Sequence, residues 1–85
     1  MDSEYNNVKV YVDVTAMYYA DGRLEPRFIT WEDGRVYQID KVLDVRPAAC
    51  LKAGGCGIRY TCRIRGQLVS LFFDENRWFM ARRGA

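Results

Sequence analysis

Arg59, Arg63 and Arg65 are the densest chemistry in this sequence, because they alternate with Tyr60, Cys62 and Ile64. A strand over that stretch would set the three arginines, with Thr61, on one face, neighbouring positions standing about 7 Å apart. An extended phosphodiester chain can meet such a spacing, and the planar guanidinium suits bidentate phosphate contact. Lys52 lies nearby in Lys52-Ala53-Gly54-Gly55-Cys56-Gly57, where glycine-rich backbone would let amides approach an anion. Arg46, Arg77 and the Arg82-Arg83 pair could extend the patch. Three phosphate contacts would give a salt slope of about −2.7, roughly a 40-fold loss between 50 and 200 mM salt. Such binding is weak and indifferent to sequence unless aromatic rings stack on bases as well. Tyr19, Trp31, Tyr37, Trp78 and Phe79 are available by type, although a small domain needs most of them inside. The plainer account of the arginines is a solvated strand face whose charges pair with acids on neighbouring strands.

Cys50, Cys56 and Cys62 recur every six residues. A structural zinc site asks for four ligands, usually in tight CxxC pairs, and this chain has three thiols and no histidine. No metal and no disulfide framework is expected. Cys62 reads as a small core residue, and Cys50 and Cys56 as loop residues. The missing histidine also removes the commonest general base and every Ser-His-Asp or Cys-His arrangement. The carboxylates of the Asp-Gly turns, Asp21 and Asp33, are explained by turn geometry. Asp40 and Asp44 would stand about 13 Å apart along a strand, too far to act as a pair. Nothing resembles a P-loop or a GxGxxG turn. The expectation is a protein that is not an enzyme and uses no cofactor.

The elements that would position these residues follow a period of two. Val8, Val10, Val12, Val14, Ala16 and Tyr18 alternate with Lys9, Tyr11, Asp13, Thr15, Met17 and Tyr19, the mark of a long strand with one apolar face. Asp21-Gly22 is a favoured hairpin pair, and Pro26 suits the entry to a second strand over 27–31. Glu32-Asp33-Gly34-Arg35 turns the chain into a third strand over 36–45, with Tyr37, Ile39, Leu43 and Val45 on one face. Residues 47–57 read as a connection with at most one short helical turn around 48–53, ended by glycines. Strands over 58–65, 68–73 and 78–81 complete a count of six.

Short connections between successive strands imply antiparallel neighbours. The fold expected is all-β: a small antiparallel meander of about six strands curled into an SH3-like barrel, which buries one face and shortens the edges. Eighty-five residues with 49% hydrophobic content allow a single domain, 1–85, with an ordered core of about 7–82. The apolar runs fall far short of the ~20 residues that span a bilayer, and the polar, acidic start Met1-Asp2-Ser3-Glu4 is unlike a secretory signal. A cytoplasmic address with reduced thiols is expected. The net charge of +2 hides an uneven distribution. Residues 1–44 hold nine acids against five bases, net −4, and residues 45–85 hold eight bases against two acids, net +6.

Two segments carry a resemblance: Ile29-Thr30-Trp31-Glu32-Asp33-Gly34-Arg35-Val36-Tyr37-Gln38-Ile39-Asp40 with its continuation to Asp44, and Lys52 to Ile64, ending in Arg77-Trp78-Phe79. Over most of residues 27–80 the chain resembles a family of small uncharacterised bacterial all-β proteins, some encoded near Y-family translesion DNA polymerases. That resemblance implies no activity and no site residue, and genomic neighbourhood is an associational pointer toward nucleic acid. Two functions stand open. The first is a non-enzymatic module that binds a protein partner or itself through an interface of Tyr11, Met17 and Tyr19. The second is a weak, non-specific nucleic-acid binder that uses Arg59, Arg63, Arg65 and Lys52.

Overall fold

The computed structural model describes residues 7–49 and 55–83, with side chains from Lys9 to Ala48 and from Gly57 to Ala81. Every element among them is a strand: β1 (Asn7–Tyr18), β2 (Leu24–Thr30), β3 (Val36–Gln38), β4 (Lys41–Ala49), β5 (Gly55–Ile64), β6 (Gln67–Asp74) and β7 (Arg77–Arg83). They form one antiparallel sheet in the order β3-β2-β1-β7-β6-β5-β4. The protein is all-β, curled into a half-barrel. Strand neighbours in sequence are neighbours in space except at two places. The first and last strands pair with each other, and β3 and β4, consecutive in the chain, stand at opposite edges.

Those two edges are held together by the two residues between them. Ile39 donates its N–H to the Arg27 carbonyl of β2 at 2.8 Å, and Asp40 donates to the Arg63 carbonyl of β5 at 2.8 Å. The stretch expected as one strand over 36–45 is therefore two short strands with a bend, which gives seven strands instead of six. A residue pairing with two different partners in turn must change direction, and the alternating pattern does not reveal that. The expected helical turn around 48–53 is corrected where the structure describes it: Ala48 and Ala49 continue β4, and residues 50–54 lie outside the described residues.

Strand β1 divides in the same manner. Asn7 to Val12 pair with β7, and Asp13 to Tyr18 pair with β2. Its inward side chains run from buried Val10 through Val12 and Val14. Ala16 and Tyr18 keep the parity but are exposed, Tyr18 at 74%, because the hairpin end reaches past the core. The core itself is Ile29, Ile39, Tyr60, Cys62 and Leu71, with Val42, Ile64, Phe73, Trp78 and Met80 packed against it. Each buried aliphatic side chain contributes about 1.5–3 kcal/mol. Tyr60 crosses that core to donate its hydroxyl to the Leu24 carbonyl at 2.8 Å, which ties β5 to the start of β2.

Three bulges set which face each side chain takes. Thr15 pairs Phe28 and Ala16 pairs Pro26, so Arg27 is the extra residue and both Pro26 and Ile29 point inward. Val42 pairs Cys62 and Asp44 pairs Thr61, which leaves Leu43 as the extra residue of β4. The expectation that Leu43 shares the face of Tyr37 and Ile39 is overturned by that bulge: Val42 packs on the core and Leu43 is 39% exposed. Between Pro47↔Ile58 and Ala49↔Gly55, the extra residue lies on β5. There Gly57 adopts φ +82, and a Cβ would lie 2.1 Å from the Phe73 carbonyl oxygen of β6.

Candidate anion-binding face and an adjoining groove

Side chains two apart on a strand share a face, so an acid two residues before an arginine can neutralise it locally. The four ion pairs between described side chains all have this spacing: Asp21–Arg23 at 3.0 Å, Glu25–Arg27 at 3.4 Å, Asp33–Arg35 at 3.5 Å and Asp44–Arg46 at 2.7 Å. Each is largely exposed, so solvent screening leaves it little weight in stability. In the first, hydrogen bonds from the Arg23 backbone and side chain hold the exposed Asp21 carboxyl below its ordinary value. The series ends at Arg46. Arg59, Arg63, Arg65 and Arg77 have no ion pair with any described side chain.

Register then decides what faces those arginines. On the outer face of β5, Arg59 and Arg63 are exposed. Opposite Arg59 on β4 stands Arg46, opposite Arg63 stands Lys41, and opposite Thr61 stands Asp44. On the β6 side the partners are Phe72, Leu68 and Ser70, none of them acidic. Directly opposed side chains stand about 4.5–5.5 Å apart at Cβ, and like charges so placed are destabilising. Two cations about 6 Å apart in water repel by roughly 0.7 kcal/mol. The sheet thus carries two like-charge rows, with a single carboxylate, Asp44, between them and already bonded to Arg46.

The rows continue into an aromatic patch on the same face. Phe72 stacks on Phe79 at 5.1 Å between centroids, and Tyr11 meets Phe79 edge-on at 5.6 Å. Phe79 is buried at 4% exposure although it points away from the core, because Tyr11, Phe72 and Lys9 cover it. The Lys9 ammonium lies 4.7 Å over the Phe79 ring, and the Arg77 guanidinium lies 3.6 Å over Tyr11. Such exposed cation–π contacts contribute about 0.5–1 kcal/mol each. Asp13 and Asp74 share this face without an ion pair to its cations.

The four residues expected to bind an anion are thereby separated. Arg59 and Arg63 share the outer face of β5. Arg65 lies beyond the strand, in the β5–β6 turn, with φ 52 and its guanidinium 6.0 Å from the Tyr37 ring centre. Lys52 lies outside the described residues, as do the side chains of Cys50 and Cys56. The expected interface residues are also spread out. Tyr11 is 44% exposed beside Phe79, whereas Met17, 46% exposed, lies about 20 Å further along β1. Tyr19 donates its hydroxyl to Glu25 at 2.9 Å, accepts from Arg27, and has the Arg23 guanidinium 4.3 Å over its ring.

Sequence reasoning did not reach a groove beside the β5–β6 turn. Pairing between β6 and β7 stops at Phe72↔Phe79, and beyond that point the strands diverge, β6 staying with β5 and β7 with β1. The opening holds about 470 Å³, floored by Ile29, Ile64, Val69 and Met80. Trp31, Tyr37, Arg65 and Gln67 complete its lining. Trp31 follows buried Ile29 by two positions, so period two was the signal that it points inward; the divergence of β6 and β7 left no trace in the pattern.

Inside, the ionisable groups are closed off. Burial pushes the Cys62 thiol up to about 11, and burial likewise raises the Tyr60 hydroxyl. Neither is a nucleophile at neutral pH. Among the described residues no cluster of three or more His, Cys, Asp or Glu side chains could hold a metal ion, and no helix is long and apolar enough to cross a membrane. No family model, curated protein or solved structure matches the chain.

Proposed function

We propose that the protein is a non-enzymatic, weak and non-specific binder of single-stranded nucleic acid, which lies across the outer face of β4, β5 and β6. The observation that carries this reading is the pair of opposed cation rows, Arg46–Arg59 and Lys41–Arg63. A solvated face needs charge but gains from alternating signs; the first half of the chain achieves that with its Asp-x-Arg and Glu-x-Arg pairs. On β5 Arg59 and Arg63 have no such acid, and a polyanion laid between the rows relieves repulsion most at Lys41–Arg63, since Asp44 already offsets Arg46. The exposed Leu68 and half-buried Phe72 offer apolar contact beside the phosphate track. The resemblance expected from the sequence, to a family of which some members are encoded near translesion polymerases, points the same way by association alone.

The test is a gel shift of a labelled single-stranded oligonucleotide at 50 mM salt. The wild type should shift it, and the double substitution Arg59→Glu with Arg63→Glu should abolish the shift while thermal unfolding stays near wild type. A wild type that shifts nothing at 50 mM salt ends this reading.

A second reading, a cytoplasmic module that binds a protein partner or itself, is favoured by the free edge of β4 and by exposed Val45 and Tyr18. Against strand addition there, the Leu43 bulge and Pro47 blunt the edge. Concentration-dependent dimerisation that survives Arg59→Glu with Arg63→Glu, in a protein that binds no oligonucleotide, is the result this second reading requires.

A further inference from the structure

Arg65 belongs to neither cation row, and its position has a structural cost. It occupies the first central position of a two-residue turn, with φ 52 followed by Gly66 at φ 80. That geometry favours Asn, Asp or Gly, and a long side chain at positive φ is disfavoured. The strain is held in place from outside the hairpin. Asp40, in the bend between β3 and β4, accepts the Arg65 backbone N–H on Oδ2 at 3.0 Å while its own N–H binds the Arg63 carbonyl at 2.8 Å. Strained positions that are over-determined in this manner concentrate at ligand clamps. Here the clamp sets a guanidinium that has no ion pair with any described side chain at the rim of the groove.

The groove suits one kind of guest. Its walls include two half-buried aromatic side chains, Trp31 and Tyr37. Gln67 at the mouth carries both donors and an acceptor for the edge of a base. A volume of about 470 Å³ lies in the range of small-ligand sites. Arg65 follows Arg63 by two positions, so the β5–β6 turn is the lip where the outer cation track meets the apolar opening. We infer that this groove takes up one unstacked nucleobase of the bound strand, with Arg65 holding its phosphate at the rim. The inference rests on the nucleic-acid reading of the outer face and adds a base-contacting site to it. Stacking on aromatic side chains strengthens binding about 5- to 150-fold per base, which makes the groove a larger source of affinity than any one phosphate contact.

The experiment compares a ten-nucleotide thymidine oligomer with an abasic phosphodiester strand of equal length, by fluorescence anisotropy and by intrinsic tryptophan emission. The thymidine strand should bind about tenfold more tightly and quench Trp31. Trp31→Leu should abolish both differences and leave affinity for the abasic strand unchanged. Arg65→Asn, which the turn tolerates, should weaken binding of both strands alike, since both carry the phosphate, without lowering thermal stability. If Trp31→Leu fails to fold, Tyr37→Leu, whose ring lines the same groove, reads the same preference. Equal affinity for the two strands with unaltered emission overturns the groove and leaves the outer face standing. Failure to bind either strand removes both. Quenching of Trp31 by a short acidic, aromatic peptide but not by thymidine would make the groove a peptide site and overturn the inference.

Discussion

At the scale of single residues, the interior polar groups are committed to the fold and not to chemistry. Cys62 is fully buried and its thiol is pushed up to about 11 from an ordinary value near 9; Tyr60 shifts in the same direction. A folded state that holds protons more tightly than the unfolded chain is favoured at low pH. The contribution of Cys62 is therefore complete below about pH 9 and is lost as pH rises toward 11, by at most about 1.4 kcal/mol per pH unit. Urea unfolding followed from pH 7 to 11 should show this decline, and Cys62→Ala should flatten it. Tyr60→Phe leaves the Leu24 carbonyl without its partner and should cost about 1 kcal/mol, read as a lower midpoint in the same titration. Cys62 as a core residue was legible from its place between Tyr60 and Ile64. The Tyr60 bond to β2 was not, since it joins residues 36 positions apart.

At the scale of elements, the strands announce themselves through alternation and the bulges do not. Gly57 shows the difference. In sequence it belongs to a glycine-rich loop of the kind that cradles anions; in the structure it is the point where β5 passes close against β6. Gly57→Ala combines positive φ with a contact at 2.1 Å to the Phe73 carbonyl oxygen, so the strands must separate. Gly34→Ala meets nothing within 4 Å at a similar φ of +89 and costs about 1 kcal/mol from backbone conformation alone. Thermal denaturation should place Gly57→Ala well below Gly34→Ala, by at least about 2 kcal/mol; equal midpoints would remove the steric argument. The same logic explains the arginines. That Arg59 and Arg63 share a face follows from period two, but that Arg46 and Lys41 stand opposite depends on the extra residue at Leu43. Arg65 looked like the third member of the row because alternation continues through a turn that the sequence marks only by Gly66.

For the molecule as a whole, the asymmetry of −4 and +6 between the halves of the chain becomes a contrast between compensated and uncompensated arginines. Local acid–arginine pairs neutralise β2, its flanking turns and Arg46 of β4, and the arginines without such a partner, Arg59 and Arg63, lie on β5. Four phosphate contacts on a single strand, from Lys41, Arg59, Arg63 and an Arg46 released from Asp44, would give a salt slope of about −2.8, each contact counting about 0.7 against about 0.9 on duplex DNA. Each cation replaced by alanine should lower the magnitude of that slope by about 0.7, measured by anisotropy between 50 and 200 mM salt. Glu25→Gln, at a compensated arginine on β2, should leave it unchanged.

The ladder between β1 and β7 has a further consequence, in time rather than in space. Its partners, from Val12↔Trp78 to Asn7↔Arg83, are separated by almost the full length of the chain. The hairpins of β4, β5 and β6 can form from local contacts, whereas this ladder must wait for the last strand to leave the ribosome. Closure over so long a loop slows the search for the native state, so refolding is expected on the millisecond-to-second scale of β-barrels and not the microsecond scale of hairpins. A chain halted before Arg77 would present β1 and β6 as unpaired edges, exposed to any other strand it meets.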